Sequence, residues 1–135
     1  MRGVPAAYTI VGTTSLPFAK AVERTRGELA EEGFGVLTEI DVQATLREKL
    51  GEEVDPYVIL GACNPAYAHR ALGIEPDLGA LLPCNVVVYE RDGETSVAAV
   101  DPIVMLSIVD NPELDEIAGE VRARVERAVA RVWAA

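Results

Sequence analysis

Asn85-Val86-Val87-Val88-Tyr89-Glu90-Arg91-Asp92-Gly93-Glu94-Thr95-Ser96-Val97-Ala98-Ala99-Val100 decides the fold. Two runs rich in β-branched and small apolar residues flank Asp92-Gly93, a dipeptide that accepts the positive φ angles of a tight hairpin turn. The reading is a strand over residues 85–90 and an antiparallel partner over residues 95–100.

Working outward, residues 56–62 hold the most apolar short run, Tyr57-Val58-Ile59-Leu60, and read as a buried strand. Tyr8, Ile10 and Gly12 alternate with Thr9, Val11 and Thr13, a period of two that gives another strand. Residues 34–40 give a further one.

Between these strands the period changes. Phe18, Ala21, Val22, Thr25 and Leu29 fall at helical spacing, with Ser15 placed to cap that helix and Gly33 to stop it. Val42, Leu46 and Leu50 stand four apart before Gly51, and Pro65 opens a short helix ending before Gly73. Residues 102–109 carry Ile103, Val104, Met105 and Leu106, a run that periodicity leaves open between helix and strand. Asn111-Pro112-Glu113 opens a final helix with the stripe Leu114, Ile117, Val121, Val125, Ala128, Val129 and Val132, and Trp133 is expected over the edge of the core. Long helices near both ends and a hairpin between them predict an α+β fold, an antiparallel sheet covered by helices on one face.

The chain has 135 residues, the size of a single domain over residues 1–135. A domain of that size buries about two-thirds of its unfolded surface and needs no metal or disulfide to hold it. The net charge of −10 argues against binding nucleic acid, which calls for a basic face, and against docking on anionic lipid. No stretch reaches the ~18–20 apolar residues of a membrane span. The segment Met1-Arg2-Gly3-Val4-Pro5 lacks the apolar core of a signal peptide, so a cytoplasmic location is the expectation. Ten arginines against two lysines, with a single glutamine, suit a thermophile's protein.

Chemistry is sparse. Cys63-Asn64-Pro65 and Pro83-Cys84-Asn85 are near-mirror settings of the two cysteines, and we take Cys63, Asn64, Pro83, Cys84 and Asn85 as the candidate ligand-binding residues. Cys63 precedes a helix, whose dipole favours a thiolate. If the two strands are neighbours, a disulfide would close a loop of ~20 residues and add ~3 kcal/mol. The alternative is two buried structural thiols, with Asn64 as a helix cap. His69 could join Cys63 and Cys84 as metal ligands, but the spacing matches no zinc pattern and a fourth ligand is missing, so no metal site is assigned. Glu39, Asp41 and Glu90 sit at strand edges, and Glu39 or Asp41 with His69 would be the material for a small hydrolase or isomerase. Gln43 and Lys49, like these acids, read as solvated. The cofactor is unknown.

The run Gly61-Ala62-Cys63-Asn64-Pro65-x-x-Ala68, then Leu82-Pro83-Cys84-Asn85-Val86-Val87-Val88-Tyr89-Glu90 and Asp101-Pro102, together with Glu39-Ile40-Asp41-Val42-Gln43-Ala44-Thr45-Leu46 and Lys49, resembles the domain-of-unknown-function family 302. The resemblance implies a β-α-β4-α arrangement similar to the TATA-binding-protein type. The helices read after Asp41 and Asn64 are extra to it. It implies no activity, and fold likeness does not carry DNA binding across.

Two functions are expected from these readings. One is a module that binds a small-molecule ligand, or undergoes thiol redox change, at Cys63 and Cys84. The other is a non-enzymatic homodimer that uses surplus apolar surface, including residues 102–109, as its interface.

Overall fold

The computed structural model describes residues 7–135, so Met1-Arg2-Gly3-Val4-Pro5 lies outside the described residues. Five strands, β1 (Thr9–Thr14), β2 (Gly35–Asp41), β3 (Tyr57–Cys63), β4 (Cys84–Arg91) and β5 (Glu94–Val100), form one antiparallel sheet in the order β1-β5-β4-β3-β2. Helices α1 (Phe18–Glu31) and α5 (Asp115–Trp133) are the long ones, and α2 (Val42–Leu50), α3 (Pro65–Ile74) and α4 (Pro102–Ser107) are short. Without α2, α3 and α4, the order is the β-α-β4-α of the resemblance.

The hairpin forms as read. Asp92 and Gly93 take φ of 53° and 79°, and Arg91 pairs with Glu94. Positive φ at both turn residues matches the right-handed twist of the flanking strands. Gly33 and Gly51 end α1 and α2 at φ of 86° and 68°, a backbone that other residues adopt at a cost.

Alternation then builds the core. Val58, Leu60 and Ala62 on β3, Cys84, Val86 and Val88 on β4, and Val97 and Ala99 on β5 all point to one face of the sheet and are buried. α1 covers that face with Ala21, Val22, Thr25 and Leu29, and α5 with Ile117, Val121, Val125, Ala128, Val129 and Val132. Each fully buried aliphatic side chain here contributes about 1.5–3 kcal/mol of transfer free energy. Buried Thr25 stays satisfied because its Oγ1 donates to the Ala21 carbonyl at 2.7 Å.

Two details depart from the sequence reading and one resolves an open alternative. Ser15 does not cap α1: its hydroxyl donates to the Ala135 carbonyl, and α1 starts at Phe18 with Pro17 at the cap position. Within residues 102–109, Pro102–Ser107 form helix α4, where Asp101 accepts from the Ile103 amide and Pro102 enters at the first turn. A 3-10 turn, Pro112–Leu114, separates the Asn111 cap from α5.

Trp133 closes the far edge. A Cβ on Gly12 would stand 2.5 Å from Trp133 Cδ2, so only glycine leaves β1 bare enough for the indole to rest on it. The indole Nε1 donates to the Val97 carbonyl at 3.1 Å.

Candidate functional site

The β3–β4 pairing places the five candidate residues in two groups. Ala62 lies opposite Cys84, so Cys63 is one position off direct register from it. Both thiols are free and both line a small cavity beneath the helices, with Asn64, Pro83, Met105 and Tyr67 among its walls. Asn85 is exposed on the opposite face, where it lines a separate trough and pairs with Gly61.

The cavity is small and almost wholly apolar. Its volume is about 50 Å³, room for a few waters and well short of the ~300 Å³ at which small-molecule pockets begin. Asn64 does two things there: its Oδ1 accepts from the Tyr67 amide at 3.4 Å, capping α3, and its side chain forms part of the wall. Pro83, after a cis peptide bond, closes the rim next to Cys84. Burial first, and the neighbouring Cys63 second, push the Cys84 thiol up to about 11. It is therefore a neutral thiol at physiological pH, the opposite of a redox-active cysteine.

His69 is exposed on α3 and does not line the cavity, so the set Cys63, His69 and Cys84 does not assemble there. Two of the three candidate carboxylates have structural partners, and Glu90 lines the trough. Glu39 is ion-paired with Arg26 of α1, and Asp41 caps α2 by accepting from the Ala44 amide at 2.9 Å. Gln43 donates to the Val54 carbonyl at 3.0 Å, tying α2 to the chain that follows it. Among the described residues no three histidine, cysteine or acidic side chains gather to hold a metal.

The second face of the sheet is the feature that residue-by-residue reading missed. It is a trough of about 1200 Å³. Register carries one apolar row across all five strands: Val11 opposite Ala98, Ala98 opposite Val87, Val87 opposite Ile59, and Ile59 opposite Ile40. A second row stacks Tyr57 on Tyr89, with ring centroids 5.5 Å apart and planes 14° from parallel. α2 borders this face through Val42 and Leu46, and none of its residues is buried. Tyr8, Ile40, Leu50 and Val54 are large apolar side chains exposed at 62, 47, 70 and 38%. The signal was present in the sequence as strands apolar at both alternating sets, Val86-Val87-Val88 above all, which marks a strand covered on both faces.

An ion-pair network lies between the two long helices. Glu28 of α1 and Glu32 at its C-cap meet Arg127 and Arg131 of α5, with Arg131 Nε 2.6 Å from Glu28 and Arg131 Nη2 2.9 Å from Glu32. Arg131, then Arg24, holds the Glu28 carboxyl below its ordinary range, and Arg127, then Arg131, does the same for Glu32.

A five-stranded antiparallel sheet with two long helices on one face, an open trough on the other and two free thiols at one cavity defines an α+β domain. The chain belongs to the DUF302 family, the domain of unknown function whose model matches residues 10–132. It is similar to a solved structure, the crystal structure of the uncharacterized conserved protein DUF302 from Bacillus stearothermophilus. The two share 33% identity and superpose with a TM-score of 0.89 over 94% of this chain and 99% of that one. No curated protein matches. No helix among the described residues is long and apolar enough to cross a membrane.

Proposed function

We propose that this chain is a homodimeric interaction domain, one domain over residues 1–135, whose second copy covers the open face of the sheet. The observation that carries the reading is the broad trough on the uncovered face of the sheet, with the apolar row from Val11 to Ile40 crossing that face, the Tyr57–Tyr89 stack and exposed Val54 in the trough's walls, and Ile40 and Leu50 also exposed. Monomeric proteins seldom leave such a contiguous face to water.

Size supports a second copy as the occupant. Five strands at 4.8 Å spacing and six residues at 3.3 Å give a face of about 480 Å² in projection. Rough side chains and the α2 rim raise its accessible area toward the ~800 Å² per partner of a standard interface. Shape supports it too. A nine-residue helix is a cylinder about 13.5 Å long and 10 Å across, on the order of 1,000 Å³. α2 has that length, and its stripe of Val42, Leu46 and Leu50 runs along the rim of the trough without any residue being fully buried. In an isologous pair, each α2 lies in the trough of the other copy. The net charge of −10 repels a like copy, and the trough walls add to it with Glu53, Asp55 and Glu90 against Arg91, so association through this face is expected to strengthen as salt rises. The same acidic charge weighs against a nucleic-acid partner.

Thiol redox chemistry at Cys63 and Cys84 is not part of this reading, because Cys84 is held as a neutral thiol. The test is a pair of exposed-site variants, Leu50→Glu and Ile40→Glu. Each is expected to give a folded monomer, since surface substitutions away from special features change stability by about 0.5 kcal/mol or less. Unchanged association in both would remove the α2-in-trough dimer. A bound small molecule released from the monomer would identify a ligand as the trough's occupant instead.

A further inference from the structure

We propose that Cys63, Cys84 and Met105 form a three-sulfur site for a single cuprous ion in the cavity under the helices. This goes beyond the dimer reading and stands on the other face of the sheet.

Three elements each contribute a sulfur-bearing residue to one cavity. β3 ends with Cys63, β4 begins with Cys84 one position off register from it, and α4 supplies Met105 from above. All three side chains line the same cavity of about 50 Å³. Its volume suits an ion and a few atoms of solvent, not an organic ligand. Its remaining walls are almost wholly apolar, including Phe34, Leu82 and Val121.

The ligand set selects the metal. Soft thiolate and thioether donors favour Cu(I), whereas a structural zinc ion requires four ligands in a tetrahedron, and no histidine or carboxylate lines this cavity. Cuprous ion is content with two or three sulfurs. Charge fits as well: a monovalent cation that displaces one proton from a thiol leaves a neutral centre, which an apolar cavity tolerates far better than an isolated charge. The equation balances as Cu⁺ plus one cysteine thiol giving a copper–thiolate bond and a released proton, with the second thiol and the thioether completing the coordination. Cys63 is only half-buried, which gives the ion a way in.

The test is anaerobic titration of the full chain with Cu(I) against a chromophoric cuprous chelator, with Zn(II) in parallel. One Cu(I) per chain is expected, with an ultraviolet copper–thiolate absorption. Cys63→Ser and Cys84→Ala are each expected to weaken binding by at least ~100-fold, and the near-isosteric Met105→Leu by about tenfold. Thermal melts followed by circular dichroism establish that each variant folds, and Met105→Leu keeps the test decisive if a cysteine variant does not. Failure to retain Cu(I), equal retention of Zn(II), or wild-type affinity in Met105→Leu would each overturn the three-sulfur site.

Discussion

Cys84 and Asn85 are chain neighbours on opposite faces of the sheet: Cys84 lines the apolar cavity under the helices, and Asn85 lines the open trough. Strand pleating requires this, since successive side chains point to opposite sides. A motif continuous in sequence thus contributes to two unrelated environments, a small apolar cavity and a broad open trough.

The first consequence concerns alkaline pH. The Cys84 thiol is pushed up to about 11 from its ordinary 9.0. Below pH 9 both folded and unfolded chains keep the proton, so nothing is lost. Between 9 and 11 the unfolded chain ionises and the folded chain does not, so stability falls as pH rises through that window. Denaturant melts of wild type and Cys84→Ala across pH 8–11 are expected to show a shallower alkaline decline in the variant. The same burial keeps Cys84 unlabelled by alkylating reagents in the native protein at neutral pH and opens it to labelling on unfolding.

Acid pH acts on the other side of the molecule. Glu28 and Glu32 are held below the ordinary carboxyl value by arginines of α1 and α5. Their lowered values stabilise the fold above the unfolded carboxyl's value, near pH 4.5, and that contribution is lost as pH falls through the folded values. Arg127 and Arg131 are 54% and 39% exposed, so solvent screens the pairing and Glu32→Gln is expected to cost only roughly 1 kcal/mol at pH 7. Melting temperatures from pH 7 to 3 are expected to fall less steeply in the variant.

Gly12 and Trp133 form a coupled pair. Gly12→Ala places a methyl group against the indole ring and is expected to destabilise by roughly 1–3 kcal/mol. In a Trp133→Ala background the same change is expected to cost much less, because the clash is gone. A double-mutant cycle by urea denaturation measures the difference.

Much of this architecture was legible in the chain. The α1 and α5 stripes were read residue by residue because amphipathic periodicity reports directly on burial, and Ala21, Leu29, Val125 and Val132 all reach the core. Asp92-Gly93 announced its turn because few other pairs accept two positive φ angles. The candidate site was less legible. Cys63, Asn64, Pro83 and Cys84 do come together, but strand alternation separates Asn85 from them. Met105 joins the cavity from a segment 21 positions beyond Cys84, a contact that local pattern does not encode. The spacing of Val42, Leu46 and Leu50 gave helix α2 correctly, yet that helix has no buried residue, because spacing reports an apolar face and not what covers it.

What covers it is the central claim, and solution mass tests it most directly. Sedimentation equilibrium across the micromolar range is expected to give twice the 14.4 kDa chain mass, with dissociation in Leu50→Glu. A wild-type mass of 14.4 kDa at every concentration would contradict the account.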